Sequence, residues 1–247
     1  MPQSHPSPEA EAQPLFVTTR WSVVLRAGRS DTTRAQAALA DLCQAYWYPL
    51  YACVRRKGHS PHDAEDLTQG FFARLLKLNS LAGVRREKGR FRSFLLASMN
   101  HFLADEWDRA TAAKRDAQRT LALDVTDAER RYREAMTDSL TPERLFERQW
   151  ALTLLETVLQ RLRGEYEKSA RGALFMALRF SITGEKSAAP YAELAASLGM
   201  TEEAVRVAVH RLRVRYRQLL REEIAQTVAD EADIEAEMES LRRILSA

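Results

Sequence analysis

Apolar residues recur along this chain at three- and four-residue intervals, the spacing of helices that bury one side. From Leu15, the residues Phe16, Trp21, Val24 and Leu25 share a face, and Gly28 with Ser30-Asp31 ends that element. A longer helix follows, with Leu39, Leu42, Cys43, Tyr46, Leu50, Tyr51 and Val54 at helical intervals. Pro49 lies inside it, which predicts a kink or a break. Arg55-Arg56-Lys57 and then Gly58 close it, cations at the negative end followed by a glycine stop. Ser60-Pro61 opens the next helix, with Ala64, Leu67, Phe71, Leu75 and Leu78 as its buried stripe. The opposite side carries Asp63, Glu65, Asp66, Gln69 and Arg74. A basic loop over 79–90 leads into a helix from Phe91, whose apolar side takes Phe91, Phe94, Leu95, Leu103 and Trp107.

Periodicity weakens over 116–142, which reads as a linker with at most a short helix. Thr141-Pro142-Glu143 is another helix start, and Trp150, Leu154, Leu155, Val158 and Leu162 form the stripe behind it. Further helices are expected at about 143–163, 168–182, 191–198, from Thr201, and at about 231–245 with Ile234, Met238, Leu241 and Leu245 on one side. Residues 1–14 hold four of the chain's eight prolines and almost no large apolar side chain, the composition of a disordered tail. The expectation is therefore an all-α protein, two helical domains joined by a linker. Its parts are the tail at 1–14, an N-terminal helical extension at 15–35, a first domain at 36–116, the linker at 117–142, a second domain at 143–225 and an acidic helix at 226–247.

Composition narrows the class. Nine glycines and eight prolines in 247 residues are few, as a helical chain requires. Cys43 and Cys53 match neither a disulfide framework nor a zinc pattern, and read as buried thiols in a reducing, cytoplasmic setting. No run of 18 apolar residues spans a membrane, and the start lacks the basic-then-apolar pattern of a signal peptide. No glycine-rich phosphate loop, metal-ligand cluster or nucleophile motif is visible, so neither catalysis nor a cofactor or metal is expected.

The most specific local signal is YAELAASLGMTEEAVRVAVHRLRVRYRQLL. Tyr191, Leu194, Ala195 and Leu198 make a short first helix, and Gly199 supplies the turn. Thr201-Glu202-Glu203 opens a second helix that Val205, Val209 and Leu212 would pack against the first. That is the pattern of a DNA-reading helix-turn-helix. Between the core positions stand Arg206, His210, Arg211, Arg213, Arg215 and Arg217. Residues 201–221 hold six arginines against two glutamates, a local charge of +4. Arginines near the helix start can reach guanine edges, while later ones hold phosphate.

The first half carries a resemblance. DLCQAYWYPLYACVRRKGHSPHDAEDLTQGFFARLLK, followed by FRSFLLASMNHFLADEWDR, resembles the promoter-melting domain of extracytoplasmic-function (ECF) sigma factors of bacterial RNA polymerase. The likeness extends through the helix-turn-helix and covers roughly 36–116 and 143–225. It implies that the helix with Asp63, Glu65, Asp66, Gln69, Phe72 and Arg74 docks through an exposed mixed face onto the β′ clamp coiled coil of core RNA polymerase. It places capture of the −10 element on Arg85, Arg86, Lys88, Arg90 and Arg92, base contact on Asn100 and His101, and upstream phosphates on Arg109, Lys114 and Arg115. It assigns −35 recognition to Thr201, Glu202, Arg206, His210, Arg211 and Arg213. The chain departs from the family at Gly70, where an acid is usual, so that the backbone there can be approached closely. It departs again at Asn100-His101 and at Ala208, which alters the expected promoter sequence. Core polymerase and promoter DNA are the implied partners, and an anti-sigma factor or other regulator is common in the family.

Two further classes compete with this one. A stand-alone helix-turn-helix regulator would dimerise on half-sites, yet no heptad seam is visible. An enzyme lacks any supporting motif. The net charge of +3 is an average of opposed regions: +4 on the reading helix, +4 from Arg85 to Arg119, and −6 over 222–247. For the acidic last helix, packing on the second domain is the plainer expectation and screening of the reading helix the sharper one.

Overall fold

The computed structural model describes residues 33–77, 90–112, 125–135, 139–183, 190–228 and 230–246, with side chains except at 33–44, 76–77, 108–112 and 125. The expected tail and the stretch with Phe16 and Trp21 lie outside the described residues. All regular elements among these residues are helices, in agreement with the all-α expectation. The first half holds α1 (Thr33–Arg56), α2 (Pro61–Lys77) and α3 (Phe91–Ala112), and α4 (Val125–Ala135) lies within the expected linker. The second half holds α5 (Pro142–Lys168), α6 (Gly172–Leu178), α7 (Phe180–Thr183), α8 (Tyr191–Leu198), α9 (Glu202–Thr227) and α10 (Asp233–Ser246).

Helix α1 runs through Pro49 without the expected break. The missing N–H leaves the Ala45 carbonyl without its helical donor, but burial around the proline holds the helix together. Tyr46, Trp47, Tyr48, Leu50, Tyr51, Ala52, Cys53 and Val54 are all buried, far more than a single face. The reason is that α2, α4 and α5 each pack against α1. Burial pushes the Cys53 thiol up to about 12, so it stays a neutral core group, as expected.

Local starts and stops follow the sequence. The Ser60 hydroxyl accepts from the Asp63 N–H at 3.1 Å, and Thr141 accepts from the Arg144 N–H at 3.3 Å. Gly58 takes φ +99° at the end of α1. Helix α5 is the hub, packing against α1, α6, α9 and α10. Its Phe146, Trp150, Leu154, Val158 and Leu162 belong to one buried cluster that also contains Leu50 and Tyr51 of α1 and Leu212, Leu219 and Ile224 of α9. Helices expected in separate domains thus share a continuous core in this conformation.

Helix α4 is tied to α1 by polar contacts. Arg55 donates from Nε and Nη2 to the two carboxylate oxygens of Glu129 at 3.0 and 2.9 Å, and Tyr51 donates to the same carboxylate at 2.8 Å. The guanidinium of Arg131 lies 3.7 Å from the centre of the Tyr48 ring. The Arg55 hydrogen bonds hold the Glu129 carboxyl at about 2, against the opposing effect of burial. The folded value lies below the ordinary 4.5, so the contribution is complete above that pH and is lost as pH falls toward 2. Thermal unfolding across acid pH should show it. Glu129→Gln is expected to lose about 1–2 kcal/mol at neutral pH and to flatten the acid dependence relative to the parent chain.

Candidate nucleic-acid interface

Helices α8 and α9 meet across a three-residue break in helical backbone set by Gly199, which takes φ +62° and ψ +33°. The left-handed conformation lets the Met200 N–H reach the Ala195 carbonyl at 2.9 Å and the Gly199 N–H reach the Ala196 carbonyl at 3.4 Å. Thr201 then starts α9, its hydroxyl accepting from the Ala204 N–H at 3.2 Å. Leu194 and Ala195 of α8 and Val205, Val209 and Leu212 of α9 are buried. That one-sided burial leaves Arg206, His210, Arg211, Arg213 and Arg217 exposed.

These cations differ in how they are held. Arg206 is paired with Glu202 at 3.3 Å and Glu203 at 3.5 Å, exposed contacts within its own first turns that cost little to exchange. Arg213 donates from Nε to the Ser181 carbonyl at 3.0 Å, which orients it. His210, Arg211 and Arg217 make no hydrogen bond or ion pair among the described residues. Arg215 is taken out of the face altogether: it donates to Glu165 at 2.8 Å and lies 3.3 Å from Glu222. Arg221 is paired with Glu235 of α10. With Arg215 and Arg221 engaged by Glu165, Glu222 and Glu235, and Glu202 and Glu203 lying against Arg206, the positive charge of this face rests on Arg211, Arg213 and Arg217, with Arg206 held by its own first-turn acids.

In the first half, Asp63 and Asp66 are exposed on α2, and Glu65 accepts from the Gln69 amide at 3.0 Å. Gln69 and Phe72 are buried, Phe72 to 1% exposure, which corrects the expected exposed mixed face. The cause is that α2 packs against both α1 and α3, so its buried arc widens to Ala64, Thr68, Gln69, Phe71, Phe72 and Leu75. Arg74 turns inward too, pairing with Asp105 of α3 at 2.8 Å. At Gly70 a Cβ would stand 3.4 Å from the Phe102 ring of α3, an ordinary van der Waals contact, so the packing here does not demand glycine.

Of the residues expected at the −10 element, Arg85, Arg86, Lys88, Lys114 and Arg115, and the side chain of Arg109, lie outside the described residues. His101 is exposed, whereas Asn100 is half-buried, with its side-chain carbonyl oxygen buried and unpartnered among the described residues. Arg90 and Arg92 meet an internal acid. Arg90 Nε lies 2.8 Å from Glu237 Oε2, Arg92 pairs with Glu237 Oε1, and each arginine donates to the Ser240 hydroxyl at 3.2 Å. Arg92 is 3% exposed and its guanidinium sits 4.3 Å from the centre of the Trp150 ring. Burial, and next the Arg90 charge, lower it to about 10, still protonated at neutral pH. Trp107, expected on the apolar side of α3, is 69% exposed. Helical spacing placed it with Leu103 on the buried side, which the observed exposure corrects. The sequence signal for it was an aromatic next to a cationic helix end.

No family model, curated protein or solved structure matches this chain. Among the described residues, no helix is long and apolar enough to cross a membrane.

Proposed function

We propose that this chain is an ECF-type sigma factor, which binds core RNA polymerase, reads the −35 and −10 promoter elements and promotes melting at initiation. The single observation that supports it most is the α8–Gly199–α9 pair, with its apolar contacts on one side and Arg206, His210, Arg211, Arg213 and Arg217 on the other. That arrangement suits a helix laid in the major groove, with Arg206 near the start of α9 aimed at base edges and later cations at phosphates. Thr201 in this arrangement shapes the start of the reading helix, and Glu202 positions Arg206. The motif D-A-E-D-L-T-Q on α2, with Asp63 and Asp66 exposed, adds an acidic surface for a basic partner, the β′ clamp. The exposed Trp107 and His101 on α3 offer the stacking and edge contacts that an unstacked strand needs.

Binding of flipped bases would offset an unstacking cost of a few kcal/mol. In vitro transcription with purified core polymerase, with and without this chain, tests the proposal. Promoter-specific initiation that depends on the chain is expected. Tight sequence-specific binding by the free chain with no effect on initiation would instead identify a stand-alone helix-turn-helix regulator.

A further inference from the structure

Among the described residues, Glu237 is the one acid of the C-terminal helix that is buried against cations of the first half. It is 1% exposed, and its two oxygens face Arg90 and Arg92 separately, with Ser240 one turn on bonded to both arginines. Ile234 and Leu241 on the same helix are buried in the core, and α10 packs against α5 and α9. The helix therefore joins the start of α3 to the second half. Among the described residues, the ion pair between the acids of α10 and the arginines of α9 is Arg221–Glu235.

Charge makes this contact conditional. Arg90 and Arg92 are like charges close enough to lower the Arg92 pKa, and among the described residues the buried Arg92 Nε has no hydrogen-bond partner. Glu147 also stabilises the charge on Arg92. If Glu237 withdraws, two arginines at the head of α3 lose their shared counter-ion and require another anion. A nucleic-acid phosphate has the charge and acceptor geometry to replace a carboxylate between two guanidinium groups. Glu237 and phosphate are thus alternative occupants of one cationic site.

We propose that α10 is an intramolecular latch, in which Glu237 and Ser240 occupy the Arg90–Arg92 pair and mask it from single-stranded nucleic acid until the helix is displaced. The latch rests on assigning nucleic-acid binding to the head of α3, as in the proposed function. It concerns the −10 side, not the α9 face, so the free chain is selectively disabled for the melted strand.

The test uses the full chain, Glu237→Gln and Ser240→Ala, titrated against a labelled single-stranded DNA of random sequence over a salt series. Hydrogen exchange over 233–246 is followed in parallel. Glu237→Gln is expected to raise exchange in α10, to tighten DNA binding about tenfold, and to steepen the slope of log K against log salt by about 1.4, as two added phosphate contacts on a single strand require. Ser240→Ala should move all three in the same direction, with affinity rising about two- to threefold. Raised exchange with unchanged affinity and slope would overturn the latch, and so would unchanged exchange in both variants. If Glu237→Gln does not fold, Ser240→Ala decides: tighter binding supports the latch and unchanged binding overturns it. Failure of the sigma-factor proposal appears separately, as absence of initiation by the chain with core polymerase while the DNA titration still responds to Glu237→Gln.

Discussion

Trp150→Ala is expected to lower the unfolding free energy by about 3–5 kcal/mol, the usual cost of removing a large buried aromatic. Trp150 lies on α5, the helix that contacts α1, α9 and α10, and it is buried in the cluster these helices share. Its ring also supports the Arg92 guanidinium at 4.3 Å. The variant therefore loses both apolar burial and the face that makes a buried cation tolerable. Urea denaturation followed by circular dichroism should show a lower midpoint. Hydrogen exchange should rise first in α10, because the floor beneath the Arg92–Glu237 pair is gone. A midpoint within experimental error of the parent chain would mean that α5 is not the hub of the core.

The second large effect concerns the face of α9. Arg206→Ala and Arg211→Ala are each expected to cost about 1–3 kcal/mol in affinity for duplex DNA selected from a randomised pool, if they read bases. Such a loss falls on one base position and relaxes preference there. A loss that is equal across sequences, with a salt slope smaller by about 1, marks a phosphate contact instead. Arg215→Ala is the internal comparison. Its guanidinium is held by Glu165 and Glu222, so its removal should reduce stability and leave duplex affinity nearly unchanged. If Arg215→Ala weakened DNA binding as much as Arg211→Ala, the division of the face between reading and bracing residues would be wrong.

Much of the architecture was legible in the sequence because helix starts, stops and apolar spacing are local. Ser60, Thr141 and Thr201 act as N-caps, and Gly199 closes α8 with the positive φ that its place before Thr201 suggested. The short helix within the expected linker, the span of α8 and the start of α9 also follow local signals. One-sided arginine spacing on α9 was equally readable, because Val205, Val209 and Leu212 between the arginines are the residues that go into the core.

What was not legible depends on how many neighbours a helix has. Spacing predicts one buried face, but α1 is covered by three helices and α2 by two, so Trp47, Tyr48 and Phe72 go inside although the stripe alone leaves them out. The same multiplicity carries α1 through Pro49. Trp107 shows the opposite case, an apolar position that stays largely exposed. Charge counting met a similar limit. It located the basic stretch on α9 and the acidic tail, yet not that Arg215 is spent on Glu165 or that Glu237 selects Arg90 and Arg92. By itself the sequence determined the helices, their caps and the side of α9 that carries arginine, since each depends on residues within a few positions of one another. Only the tertiary structure decided which cations remain available, because an ion pair such as Arg90–Glu237, between residues far apart in the chain, forms when packing brings two helices together, and no local pattern encodes that meeting.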